Sequence, residues 1–377
     1  MGGPACERRD GRGVNVAAAV AAGVLAALAV ATAVTVGGRQ TAILLVAAGL
    51  GVALYHGALG FTAMWRRWLA TGDGSGVRLQ LLIIALGSLA TFPLSGGWVP
   101  GVSAYGAVAP VGLEVVLGAA LFGLGMQLAN GCGSGTLYTL GAGSTKMLLT
   151  LAAFIAGSLA ATFHLHLWRT LPGVGGFSTV HAFGVPSALG LQVALIVTLA
   201  YVARPRRATA ALARSAWIAA TVLSGLAVVL FWLQGTPWSV TFAFALWGGK
   251  IYEALGGSLA EVPFWRASWA RAALDESVLR NATSVTNFGV LLGATLAAAR
   301  GGRLRPPLTI PRGPALAALL GGLAMGYGAR LAYGCNIGAL LGGTMSGSLH
   351  GWVWLAAALA GMWIGIRLRP AFRLPVP

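Results

Sequence analysis

Long apolar runs separated by short basic segments are the feature that most constrains this chain. A hydrophobic fraction of 57% with only 9% charged residues departs from soluble domains, which carry about 25% charged residues. Runs near the ~20 residues that cross a bilayer lie at about 14–36, 41–60, 79–95, 110–130, 146–167, 185–203, 214–233, 283–299, 314–334 and 350–367. The sequence predicts an all-α polytopic membrane protein with about 9–11 transmembrane helices.

Arginine supplies most of the net charge of +17, and it is concentrated between the apolar runs. Cytoplasmic loops of membrane proteins collect Arg and Lys, so segments 66–78, 204–214, 300–312 and 367–373 are predicted to be cytoplasmic, as are both chain termini. These segments lack the interleaved aromatic residues and the folded context of a nucleic-acid module. The expected surroundings are therefore a lipid bilayer, and no nucleic-acid partner is expected.

Two apolar segments, 57–72 and 238–256, are interrupted by Gly, Trp and charged residues. A full crossing by 238–256 would put the arginines of 300–312 on the wrong face of the membrane. We therefore expect both segments to be re-entrant or interfacial. A turn at membrane depth is tolerated only where protein or a water-filled cavity surrounds it.

A glycine-flanked cysteine occurs twice. The stretch GLGMQLANGCGSGTL at 123–137 matches GYGARLAYGCNIGAL at 326–340 in eight of fifteen positions. With the predicted orientation, the first copy is reached from outside and the second from the cytoplasm. This predicts an inverted-repeat bundle, an arrangement that places a transport path between the repeats. The repeats are assigned to 41–203 and 214–370, after a disordered cytoplasmic tail at 1–13 and an additional helix at 14–36.

The glycines around Cys132 and Cys335 predict broken helices, because Gly is unfavourable inside a helix. A helix that restarts after a break points its positive end and free N–H groups at the gap, where an anion would bind. Neither motif contains an acidic residue, which argues against a cation. The candidate pathway residues of the two motifs are Gln127, Asn130, Gly131, Cys132, Gly133, Ser134, Arg330, Gly334, Cys335 and Asn336.

A neutral thiol is a weak, polarizable contact, which suits a path that substrate must also leave. The structural alternative stays open, because glycine stripes also mark close helix packing and a buried Cys also serves as a small apolar residue. Cys6 lies in the tail, and the cysteine spacing fits no zinc site. No metal or cofactor is expected.

Other polar residues are weaker candidates. Glu114 is either interfacial or paired with an arginine. His56 and His350, near helix ends, either line a vestibule or have only a structural role. Membrane interfaces are the expected location of Lys146, His164, His166 and Lys250.

The motif segments 123–144 and 328–343, with GTPWSVTFAFALWGGK at 235–250 and SVTNFGVLLGA at 284–294, resemble the YeeE/YedE family. Its members are bacterial inner-membrane transporters for thiosulfate and related sulfur compounds. The resemblance implies thiosulfate uptake through an hourglass-shaped, pseudo-symmetric fold that relays substrate between cysteine thiols, here Cys132 and Cys335. It also implies a cytoplasmic sulfur-carrier or rhodanese-like partner.

One segment departs from the family pattern. Family members commonly carry a third pathway cysteine after an Arg-Phe-Cys-like stretch in an early re-entrant loop. Here the segment GFTAMWRRWLA at 60–70 aligns Arg67 with the arginine of that stretch and Leu69 with its cysteine. Arg67 is a further candidate pathway residue. The cargo therefore stays open between thiosulfate, another sulfur species and a selenium compound.

Two other functions compete with transport. A membrane thiol oxidoreductase would cycle a Cys132–Cys335 disulfide, but the chain has no C-x-x-C pair of the kind that redox motifs use. A scaffold would not need either thiol. The sequence also lacks a nucleotide-binding loop. It therefore favours a transporter, not an enzyme, with its energy source undetermined.

Overall fold

The computed structural model describes residues 11–57, 60–101, 104–205, 212–302, 304 and 309–376. The helices are α1 (Gly11–Thr35), α2 (Gly38–Gly57), α3 (Phe61–Thr71), α4 (Ser75–Ser95), α5 (Leu113–Ala129), α6 (Gly133–Gly141), α7 (Thr145–Trp168), α8 (Thr179–Val202), α9 (Arg214–Gln234), α10 (Thr241–Ala254), α11 (Pro263–Arg266), α12 (Ser268–Asp275), α13 (Ala282–Arg300), α14 (Arg312–Leu331), α15 (Gly342–Thr344) and α16 (Leu349–Leu368). A π-helix (Asn336–Leu341) precedes α15, and a 3-10 helix (Arg369–Phe372) follows α16. Strands β1 (Val111–Gly112) and β2 (Gly173–Val174) pair antiparallel.

Ten segments of the described chain are long and apolar enough to cross a membrane, which confirms the prediction of an all-α polytopic membrane protein. Helix α1 begins at Gly11, so residues 11–13 of the predicted tail are helical. Cys6 and the rest of the tail lie outside the described residues.

Glycines let the central helices α5 and α14 approach closely. Gly118 lies against Gly328, and Gly125 lies against Gly321. From the first contact to the second, the residue number rises along α5 and falls along α14, so the two helices run antiparallel. Helix α5 therefore ends where α14 begins, and the cysteine motifs that follow them leave from opposite ends of the pair.

Each central helix also packs against a parallel partner. Gly361 of α16 lies against Ala120, and Gly365 lies against Leu124, so α16 and α5 run in the same direction. Gly322 and Gly326 of α14 lie in the same way against successive turns of α7. Small residues at such contacts allow backbones to approach closely in membrane helices.

The described arginine-rich segments gather at one end of the bundle, called the arginine end below. There the start of α4 meets the end of α8, where Gly74 contacts Ala203. The start of α14 meets the C-terminal segment, where Gly313 contacts Phe372. Leu128 at the end of α5 joins the same region in an apolar cluster. This placement agrees with the grouping that the charge pattern predicts.

Segment 238–256 enters and leaves at the opposite end. The backbone oxygen of Gly235, just after α9, accepts from Tyr105 N. The chain then turns inward, and Val240 O accepts from Asn287 Nδ2 at 3.0 Å. Helix α10 leads back out, and Lys250 Nζ donates to Glu276 O at 2.6 Å, shortly before α13. This is the re-entrant path that the charge pattern predicts.

The packing of α5 on α16 can be tested with Gly361→Ala. The added methyl group would lie 1.8 Å from Ala120 O, so the helices must separate. Overpacking of this kind costs about 1–3 kcal/mol. We expect a lower midpoint of thermal unfolding for the purified protein in detergent. Gly190→Ala, which meets open space, is the control, and equal midpoints for both variants would contradict the packing.

Candidate functional site

The first motif is a break between two helices. Asn130, in the left-handed region at φ 66°, ends α5, and Cys132 is the N-cap of α6. Asn adopts this conformation more readily than most residues because its short side chain bonds locally. Cys132 Sγ accepts from Gly135 N at 3.4 Å and lies 3.6 Å from Ser134 Oγ. The thiol is thus fixed at the start of a helix.

The second motif has a similar backbone path at its left-handed residue and at its cysteine. Tyr333 is left-handed at φ 57°, Gly334 follows at φ 154°, and Cys335 is the N-cap of the π-helix, with its Sγ accepting from Ile337 N at 3.4 Å. The φ and ψ angles are −106° and −166° at Cys335 and −97° and −167° at Cys132. The helix breaks predicted from the glycines are present in both copies.

The two motifs touch at Gly133. A methyl group added there would lie 3.0 Å from Cys335 Sγ and 3.5 Å from Val240 Cγ1. Cys132 is 1% exposed and Cys335 is 0% exposed, and both are free thiols. The structure therefore brings the two cysteines to one enclosed region, which the chain enters from opposite ends of the α5–α14 pair.

Polar atoms without partners surround the second motif. Asn336 is fully buried, and neither its Oδ1 nor its Nδ2 has a hydrogen-bond partner among the residues that the structure describes. The same holds for Asn287 Oδ1 and Trp238 Nε1. Such atoms cost free energy unless something satisfies them. Trp238 also lines a small cavity of about 20 Å³ beside the π-helix. A polar ligand at this depth would meet unused hydrogen-bonding groups.

The structure brings Arg66, not Arg67, to the first motif. Arg66 Nη1 donates to Asn130 Oδ1 at 2.7 Å and reaches Gln127 Oε1 at 3.5 Å. Successive residues of an α-helix point about 100° apart, so Arg67 faces elsewhere and pairs with Asp73 at 2.7 Å.

That ion pair lies in the turn after α3. Burial raises the pKa of Asp73, but hydrogen bonds from Ser75 and the charge of Arg67 outweigh it, so the pKa lies below its ordinary value. Leu69, on the same helix, is partly buried against the apolar core.

Arg330 and Glu114 lie toward the opposite end. Arg330 Nη2 reaches Thr241 Oγ1 at 3.5 Å, and its guanidinium is 5.8 Å from the ring of Phe264. Glu114 is buried and lines a cavity of about 320 Å³ with Arg169 and Tyr333. Tyr333 is two residues from Cys335, so this cavity lies beside the second motif.

Two of the remaining polar candidates, His350 and His164, make local contacts. His350 is buried, and its Nδ1 is hydrogen-bonded to Ser348 Oγ at 2.7 Å. His164 Nδ1 lies 3.3 Å from the phenol oxygen Oη of Tyr327. Within the described ranges, no group of three His, Cys, Asp or Glu side chains could hold a metal ion.

Sequence reasoning missed Arg66 and Tyr333. The adjacent pair Arg66–Arg67 gave no indication of which guanidinium faces the motif, since this depends on the rotation of α3. Tyr333 occupies the position equivalent to Asn130 in the repeat, a relation that could have marked it as the second left-handed residue.

Comparison with known proteins decides the family. A model of the sulphur transport family matches residues 56–364. The chain belongs to the sulphur transport family. The matched range contains both cysteine motifs, which confirms the family expectation and identifies a transport protein.

Several curated proteins are similar to the chain. It is 28% identical to the thiosulfate transporter TsuA of Spirochaeta thermophila, over 85% of this chain and 96% of that protein. It is 25% identical to TsuA of Escherichia coli, over 83% of this chain and 90% of that protein. The probable transporter YedE of Escherichia coli is 35% identical over 42% of this chain. That match spans 39% of the length of YedE.

The contact between the motifs can be tested with Gly133→Ala. Its methyl group, 3.0 Å from Cys335 Sγ, would press on the thiol and narrow the enclosed region. We expect slower uptake of labelled thiosulfate, the cargo proposed below, at equal amounts of protein in the membrane. Gly225→Ala, which meets open space on α9, is the control. Uptake equal to that of wild type in Gly133→Ala would show that this contact does not border the path.

Proposed function

We propose that this chain carries thiosulfate, or a closely related sulfur-containing anion, across the bacterial inner membrane into the cytoplasm. The observation that carries the proposal is the pair of buried thiols, Cys132 and Cys335, on helix breaks that meet at Gly133. Two relatives that align over most of the chain are named thiosulfate transporters, which supports this choice of cargo.

In the proposed mechanism the anion passes from one thiol to the other through transient contacts. A thiol is a weak donor and a soft, polarizable group, so it holds a sulfur-containing anion without trapping it. The unpartnered Asn336 Nδ2 and Trp238 Nε1 would donate to the anion's oxygens. Because both thiols are buried, passage requires a local opening next to each motif.

The orientation of the chain in the membrane follows from the charge pattern. We assign the arginine end to the cytoplasm, because arginine-rich loops are retained there. The antiparallel pairing of α5 with α14 supports an inverted repeat, with 41–203 and 214–370 as its halves. In this scheme a cytoplasmic sulfur-carrier or rhodanese-like protein takes up the delivered sulfur compound.

The proposal is tested by uptake of labelled thiosulfate into sulfur-starved cells that lack other thiosulfate uptake. We expect Cys132→Ala to reduce uptake at least about tenfold, equivalent to about 1.4 kcal/mol, because the relay loses one of its two thiols. Unlabelled sulfate, sulfite and selenite are added as competitors, and the reduction of labelled thiosulfate uptake by each shows which anions share the path. Stronger competition by selenite than by sulfite would favour a selenium compound.

Cys6→Ala is the matched control, since it removes the third cysteine of the chain from outside the motifs. Its uptake should equal that of wild type. Normal uptake by Cys132→Ala, present in the membrane at wild-type amounts, would contradict the relay. A reversible Cys132–Cys335 disulfide that forms with turnover, detected by mass spectrometry, would favour the oxidoreductase instead.

A further inference from the structure

Three cationic side chains surround the end of α5 at the arginine end. Arg66 donates to Asn130 and reaches Gln127 Oε1, while Arg369 Nη1 donates to Gln127 O. The two guanidiniums therefore share one glutamine. Lys146, the second residue of α7, lies close enough to both arginines for their like charges to repel it. Arg66, Lys146 and Arg369 are called the cation cluster below.

The cluster adjoins the first cysteine motif directly. Met147, next to Lys146, would have its Sδ 3.5 Å from a methyl group at Gly131, the residue before Cys132. Asn130, which receives the bond from Arg66, precedes Gly131. The cluster thus lies where an anion that has passed Cys132 would leave the enclosed region.

No described carboxylate neutralises this charge. Asp73, the acidic residue at this end, pairs with Arg67. The other acidic side chains in the described part of the chain lie toward the opposite end; they are Glu114, Glu253, Glu261, Asp275 and Glu276. Glu7 and Asp10 lie outside the described residues.

Capping of the C-terminus of α5 explains why the arginines lie there, but it does not account for the total positive charge of the cation cluster. Arginines at a helix C-terminus satisfy free carbonyl groups and interact favourably with the helix dipole. That dipole corresponds to about half an elementary charge, whereas the cluster carries three positive charges. Gathering them next to a substrate path costs free energy unless an anion is bound there.

We infer that Arg66, Lys146 and Arg369 form a binding site for a doubly charged oxyanion, at the exit from the first cysteine motif. The inference deepens the proposed function and rests on it. The two sites select differently: thiols contact soft sulfur, whereas guanidinium and ammonium groups bind charged oxygens through charge-assisted hydrogen bonds. The cation cluster should therefore bind sulfate about as well as thiosulfate. It would draw the anion off the thiols, and release would follow by exchange with bulk anions.

Binding to the purified full-length protein tests the site separately from transport. Sodium sulfate is titrated calorimetrically into a Cys132→Ala, Cys335→Ala double variant, which lacks the relay. We expect sulfate to bind this variant as it binds wild type. Adding Lys146→Gln should weaken binding at least about tenfold, whereas Lys146→Arg, which keeps the charge, should restore most of it.

Arg204→Gln is the matched control, because it removes one positive charge at the same end; Arg204 lies over the Tyr201 ring at 4.2 Å, outside the cluster. Its sulfate affinity should equal that of the parent. Thermal unfolding of each variant shows that it is folded. Unchanged sulfate affinity in folded Lys146→Gln, or equal loss in Arg204→Gln, would overturn the site. Intact sulfate binding with no thiosulfate uptake by wild type would instead contradict the proposed function alone.

Discussion

The close antiparallel contact between α5 and α14 is the constraint on which the rest of the structure depends. Gly118 against Gly328 and Gly125 against Gly321 bring the two backbones together without intervening side chains. Because the helices run in opposite directions, the chain leaves the pair at opposite ends and returns through the two motifs. Larger residues at these glycines would separate the helices and with them the two breaks.

The breaks convert this packing into an enclosed site. Each left-handed residue, Asn130 or Tyr333, turns the chain so that the following cysteine caps a new helix. The two motifs then meet where Cys335 lies against Gly133, inside apolar packing. A neutral sulfur is stable there and a carboxylate would be costly. In the proposed path, the arginine charges lie outside this region and the weak contacts of the thiols lie within it. This division suits a path that must both accept and release an anion.

Much of the fold could be predicted because a bilayer imposes strict rules on sequence. Span length follows from its thickness, and the inward course of 238–256 followed from arginine placement. The helix breaks at Cys132 and Cys335 followed from glycine. The arginine next to Asn130 could not be predicted, since the choice between Arg66 and Arg67 depends on the rotation of α3 by one residue. Arg369 reaches Gln127 from 242 positions away, and no local pattern indicates such a contact.

By itself, the sequence determined that this chain crosses a membrane many times and carries a duplicated glycine-cysteine motif, because both features are local patterns of residue type. Only the tertiary structure decided that the two thiols share one enclosed region, that Asn336 and Trp238 keep unpartnered polar atoms there, and that Arg66 and Arg369 both reach Gln127. The physical reason is that helix packing brings together side chains distant in the chain, and its geometry depends on contacts at every glycine of the interface.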